Sequence, residues 1–315
     1  MILTPEAWQT LAVIGLCFSL LVLNINLFLK ARVADFESRA VKDSNLFQQL
    51  SETIFSGELT NNAPLAELIN KVDFKLIAKG FENQTDLLIE AKGDNDYVTR
   101  VDKEAEQAII HKIKQSYPEH SFVGEEGGVV EGDNDFKWII DPLDGTTNFI
   151  KGIPHFAVSI ALMHKGRLDQ AVVFDPLRSE LFTASRGAGA QLNGFRIRAS
   201  KAKELGQTIV ATSFPFKNKV DLPQYQESFN KIFMQAGDIR RSGSAALDLA
   251  YVAAGRYDGY WERGIKPWDI AAGELLVREA GGLVTDFSGG NDPMPKGEIV
   301  AGSPKVVQIL VKNLK

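Results

Sequence analysis

The sequence predicts a layered α/β or α+β fold, on three observations. The chain has 315 residues, 44% of them hydrophobic and 24% charged, which is enough to bury a full core and excludes disorder as its dominant state. Beyond Pro64, strand-like and helix-like stretches interleave without a fixed repeat, which disfavours a solenoid. Two apolar helical patterns, 244–255 and 270–282, each close on glycines suited to a left-handed C-terminal cap. The net charge of −5 argues against a protein built mainly to grip nucleic acid, whose phosphates call for an electropositive face. The single cysteine, Cys17, lies in an apolar run and excludes an internal disulfide, a cysteine-based zinc cluster and thiol catalysis.

Taken in order, residues 11–29 carry no charge and match the ~17–25 apolar residues that cross a bilayer core. Only Glu6 precedes them as a charge, so the basic start of a signal peptide is missing. Residues 1–30 are therefore expected to form a transmembrane anchor, an extra N-terminal helix, with a buried helix or a cleaved signal as alternatives. Lys30 and Arg32 follow, which places the remainder on the cytoplasmic side of the inner membrane; a soluble cytoplasmic protein is the alternative. Residues 31–64 read as an amphipathic stalk and linker, with Val33, Phe36, Ala40, Phe47, Leu50 and Ile54 near helical spacing and a breaker-rich SGELTNNAP at the end. Residues 65–315 read as one catalytic domain. Within it, 102–116 is a helix with Ala105, Ile109, Ile110 and Ile113 on one face, and 136–141 is a short apolar strand. Strands follow at 156–164 and 170–176. SRGAGAQLNG at 185–194 fails the dinucleotide pattern G-x-G-x-x-G and reads as a hairpin or loop.

The stretch WIIDPLDGTTNF, residues 138–149, carries the chemistry. Apolar residues drive a strand inward and deliver Asp141 and Asp144 to its end, where Pro142 stops regular pairing. Gly145, Thr146 and Thr147 supply backbone donors and hydroxyls that suit a phosphate oxygen. Carboxylates beside an anion cradle require a hard cation between them, and oxygen-only ligands point to Mg²⁺. The blander reading is an ordinary Asp-Gly turn. GEEGG at 124–128 adds Glu125 and Glu126, and Asp269 begins a helix, where a helix-capping role competes with a ligand role.

These stretches resemble the inositol monophosphatase family, whose two signatures match WIIDPLDGTTNF and WDIAAGELLVREAGG, over roughly residues 65–315. The chain is similar in particular to the bacterial extragenic suppressor subfamily, which has a second role as a partner of the transcription antitermination machinery. The resemblance implies a layered αβαβα sandwich of the inositol monophosphatase/fructose-1,6-bisphosphatase type, usually a homodimer, with lithium-sensitive Mg²⁺-dependent phosphatase activity on inositol 1-phosphate and related polyol phosphates. It implies two or three Mg²⁺ ions on Glu126, Asp141, the Leu143 carbonyl, Asp144 and Asp269. Glu126 and Thr146 would orient the attacking water, with Asp102 behind Thr146. Asp144, Gly145, Thr146 and Thr147 would meet the phosphate, and Gly243, Ser244, Ala245 and Glu262 the polyol. Lys92 would lie in a mobile loop. The implied reaction is direct in-line displacement by metal-activated water, without a phosphoenzyme.

That chemistry needs no histidine base, and His111, His120, His155 and His164 show no metal-binding spacing. The spacing D-x-x-D also departs from the D-x-D of aspartyl-phosphate phosphatases. Fructose bisphosphate and 3′-phosphoadenosine phosphate are sister substrates. A different class of function is a protein partner of transcription complexes, for which Arg196, Arg198, Lys201 and Lys203 form a small basic run.

Overall fold

The computed structural model describes residues 74–83, 87–93, 96–216 and 219–314. The expected anchor and stalk, residues 1–64, lie outside them. Among the described residues no helix is long and apolar enough to cross a membrane.

An eight-stranded sheet begins the core. It contains β3 (His120–Gly124), β4 (Gly128–Val130), β5 (Asp133–Asp144), β6 (Ala157–His164), β7 (Arg167–Asp175), β8 (Glu180–Ser185), β9 (Gly189–Leu192) and β10 (Phe195–Arg196), in the order β10-β9-β8-β7-β6-β5-β3-β4. Only the β3–β5 pair is parallel. A five-stranded sheet orders β12 (Asp238–Arg240), β11 (Ile209–Thr212), β13 (Gly259–Arg263), β15 (Glu298–Gly302) and β14 (Leu283–Thr285). A separate hairpin joins β1 (Glu90–Gly93) to β2 (Asp96–Val98).

Alternation along the strands shows how the layers stack, because successive side chains point to opposite faces. Trp138 and Ile140 of β5 join Val158 and Ile160 of β6 under α1 (Lys75–Glu82) and α2 (Arg100–Ser116), which supply Ile77, Val101, Ile109 and Ile113. Ile139, Ala171 and Val173 face the other way, toward Leu247 and Leu249 of α5 (Ala245–Ala253) and Leu275 and Leu276 of α6 (Pro267–Glu279). The same helices receive Tyr260, Ile299 and Ala301 from the second sheet. That sheet's outer residues, Val210, Trp261 and Val300, pack with α4 (Leu222–Phe233) and α7 (Pro304–Leu314). The order helix, sheet, helix, sheet, helix is the expected αβαβα sandwich.

Among the described residues the predicted helices and strands are present, with three differences of physical interest. Helix α2 starts at Arg100 because Thr99 and Asp102 form a reciprocal capping box. Strand β7 begins at Arg167 because Lys165 and Gly166, at φ 50° and 73°, make a two-residue hairpin turn suited to right-twisted strands. Strand β5 continues through Pro142 to Asp144, so the proline does not end it. Pairing with β3 stops at Gly124–Ile140 and the register toward β6 is irregular beyond Asp141, so no regular ladder bond is lost at Pro142. The expected C-terminal caps hold: Gly255 and Gly281 take φ 70° and 85° after α5 and α6.

Candidate active site

The β5 irregularity creates the site. Asp141 and Asp144 are three residues apart, which in a regular strand puts them on opposite faces. Here Asp141 pairs with Ser159 and Asp144 with Ala157, so three steps on β5 span two on β6. The extra residue is a β-bulge, and it returns both carboxylates to one side. Asp269 arrives on that side because Pro267 opens α6 and the Ser159 hydroxyl donates to the Trp268 carbonyl at 3.1 Å. One carboxylate oxygen from each of Asp141, Asp144 and Asp269 lies within 4.8 Å of the others. Asp269 also accepts from the Lys266 amide at 2.8 Å, so capping and clustering are done by the same side chain.

These three line a cleft of about 170 Å³ together with Glu125, Leu143, Gly145, Thr146 and Thr147 on one side and Gly243, Ser244, Ala245 and Glu262 on the other. Gly145 sits at φ 99° as the N-cap of the short helix α3 (Thr146–Ile150), which leaves the first α3 amides free of intrahelical partners. A Cβ there would lie 3.1 Å from the His155 carbonyl and 3.2 Å from Phe156. Gly145→Ala is therefore expected to cost about 1–3 kcal/mol of stability, read by thermal denaturation, and to lower activity by displacing the threonines. Asn148 ties α3 to the 242–245 turn by donating to the Ser242 carbonyl at 2.9 Å. Ser244 donates to Asp144 at 2.7 Å, and so does the Ala246 amide.

Asp102 does not line the cleft but stands behind it. The Thr146 hydroxyl has Asp102 at 3.0 Å and the Leu143 carbonyl at 3.1 Å as acceptors. Burial raises the pKa of Asp102 against the hydrogen bonds from Thr99 and Thr146.

Of the two glutamates in GEEGG, Glu125 lines the cleft, whereas the expected ligand Glu126 is not among the lining residues. The Glu126 side chain is buried beside the cleft, and Lys92 of β1 bonds Glu126 at 2.7 Å and Glu125 at 2.9 Å. Lys92 thus meets the rim rather than the cleft wall. Partial burial opposes its charge, yet the two carboxylates hold its pKa above the ordinary lysine value.

Sequence reasoning missed Asp96, Tyr97, Thr212, Ser213, Arg241, Asp248 and Ile265, which also line the cleft. Asp248 had a readable signal, an acid inside an otherwise apolar helix; it is buried and accepts from Ser242. Arg241 is the only cation among the described lining residues. No histidine lines the cleft; His120 stacks on Phe136 and accepts from Trp138 Nε1.

Electrostatics define what the site lacks. Burial, then the charges of Glu125, Asp144 and Asp269, push the Asp141 pKa well above the ordinary carboxylate range. Burial raises Asp144 to about 7 despite its bonds from Ser244 and Ala246. Glu262, beside Tyr260 and Ser213, is likewise raised by burial to about 7. With Lys92 spent on Glu125 and Glu126, the desolvated carboxylates of Asp141, Asp144, Asp269 and Glu262 have only Arg241 as a cation among the described lining residues. They are under-compensated, and a hard divalent cation with oxygen ligands fits them.

A model of the inositol monophosphatase family matches residues 63–314. The Nus factor SuhB of Escherichia coli (strain K12) is 58% identical over 241 residues, covering 76% of this chain and 90% of that protein. The crystal structure of the extragenic suppressor protein suhB from Bartonella henselae superposes with a TM-score of 0.77 at 40% identity, covering 80% of this chain and 99% of that one. The inositol monophosphatase of Anabaena (Nostoc) sp. PCC 7120 does so at 0.68 and 34%, covering 81% and 96%. With matches of this extent falling on a sandwich whose strand ends carry the acidic cleft, the chain belongs to the inositol monophosphatase family.

Proposed function

We propose that residues 65–315 form a phosphomonoesterase that hydrolyses inositol 1-phosphate and related polyol phosphates with Mg²⁺. The observation that supports this most is the bulge-made convergence of Asp141, Asp144 and Asp269 beside Thr146. Glu125, Asp141, Asp144, Asp269 and the Leu143 carbonyl would hold the metal. Bound there, Mg²⁺ supplies charge neutralisation for an anionic substrate, polarisation of the phosphoryl group and a lowered pKa of water.

The chain's own residues do the positioning. Thr146 commits its hydroxyl proton to Asp102 or the Leu143 carbonyl, which leaves an oxygen lone pair to accept a hydrogen bond from the attacking water. The amides at the start of α3, where Gly145, Thr146 and Thr147 line the cleft, would receive the phosphate oxygens, an arrangement that favours negative charge. Glu262 and Asp248 offer acceptors to polyol hydroxyls, and Arg241 limits the negative charge at that end. The test is phosphate release from myo-inositol 1-phosphate. Activity is expected with Mg²⁺, none with EDTA, and a far larger loss in Glu125→Gln than in Glu126→Gln. Release that persists in EDTA would overturn the reading.

The name of the E. coli relative favours a second reading, a partner in transcription complexes. A pull-down with Asp141→Asn protein separates the two, because a surface function survives that substitution and hydrolysis does not.

A further inference from the structure

Helix α2 presents two carboxylates to the site, one turn apart: Asp102 behind Thr146, and Glu106 beneath the loop that carries Glu125. We propose that Glu106 is a positioning residue: by gripping the backbone of the 125–127 turn it aims the Glu125 carboxylate into the cleft. The proposal rests on the reading of Glu125 as a metal-binding carboxylate.

Glu106 is 3% exposed, on the buried face that otherwise carries Ala105, Ile109 and Ile113. An acid there costs desolvation that an apolar side chain would avoid. Its two oxygens are spent on two backbone donors: the Glu126 amide donates to one at 3.0 Å and the Gly127 amide to the other at 2.5 Å. Those amides flank Glu125 on its C-terminal side, while the Glu125 amide donates to the Ile140 carbonyl of β5 at 3.2 Å. The backbone of Glu125 is thereby fixed on both sides, and the β5 contact ties it to the strand that bears Asp141 and Asp144.

The glycines around the turn fit the same grip. A Cβ at Gly124 would lie 2.3 Å from one Glu106 oxygen, and one at Gly127 would lie 2.7 Å from the other. Both positions are kept bare where the carboxylate approaches. The chemistry also requires a carboxylate rather than an amide, because it accepts at both oxygens. Glutamine would set an N–H group against one of the two backbone donors, so one end of the turn would be released.

The experiment titrates Mg²⁺ against the melting temperature and against phosphate release in wild type, Glu106→Gln, Glu125→Gln and the double variant. Glu106→Gln is expected to raise the half-saturating Mg²⁺ about 10- to 100-fold in both readouts, the scale of losing a group that orients a metal ligand. At saturating Mg²⁺ its KM for myo-inositol 1-phosphate should stay within about twofold of wild type. In the Glu125→Gln background, Glu106→Gln should add no further change in half-saturation, because the group it aims is already gone. A folded Glu106→Gln protein with wild-type Mg²⁺ dependence, or additive effects in the double variant, would overturn the proposal. If Glu106→Gln fails to fold, Gly124→Ala, whose methyl presses on the same carboxylate, is read by the same criteria. A wild-type protein whose melting temperature ignores Mg²⁺ would instead overturn the metal reading itself.

Discussion

Asp141→Asn is expected to abolish measurable phosphate release while raising the melting temperature of the metal-free protein. The two effects have opposite signs for one reason. Asp141 is 1% exposed and lies among Asp144, Asp269 and Glu125, so its charge opposes folding until a cation arrives. Asparagine keeps the shape and can still accept the bond that the Leu143 amide makes to Asp141 Oδ1 at 3.0 Å. The substitution therefore removes a repulsive charge without opening a cavity. Stability should rise by about 2–4 °C in melting temperature for each kcal/mol of repulsion removed. Activity should fall by at least about 10²–10³-fold, the scale of losing one preorganised electrostatic contact. Denaturation in EDTA and a phosphate-release assay read the two effects separately. A metal-free variant less stable than wild type would mean that Asp141 serves the fold rather than the metal.

The spacing D-x-x-D made the acidic site legible in the sequence but not its geometry. An odd spacing in a strand separates side chains, and only the β-bulge, a pairing irregularity with β6, brings Asp141 and Asp144 together. Neighbouring glutamates presented a similar limit: GEEGG offers two adjacent carboxylates, and which one lines the cleft depends on the turn. That turn is gripped from a helix some twenty residues earlier in the chain, through Glu106. Local patterns, by contrast, were readable. The helical apolar face of α2, the apolar strand of β6 and the closing glycines of α5 and α6 each follow from short-range sterics and burial, and each is present. Resemblance to the family supplied the long-range link to Asp269, which spacing alone could not.

The second large effect is a pH dependence of stability that Mg²⁺ should reverse. Asp144 and Glu262 each have folded-state pKa values of about 7, well above those of exposed carboxylates. Between the ordinary carboxylate range and about 7, the folded protein keeps protons that the unfolded chain has released. Stability must therefore fall as pH rises through that window, the reverse of the usual contribution of a salt-bridged acid. In EDTA, the melting temperature is expected to decline from about pH 5 to about pH 8. A divalent cation competes with those protons, so its affinity should rise over the same window and the decline should flatten or invert at saturating Mg²⁺. Glu262→Gln should remove part of the decline in EDTA, because its amide has no charge to desolvate. Differential scanning calorimetry across pH, with and without Mg²⁺, measures all three expectations. A metal-free protein whose stability climbs with pH would mean that the cleft carboxylates are already compensated within the chain, and the case for a cation in the cleft would fail with it.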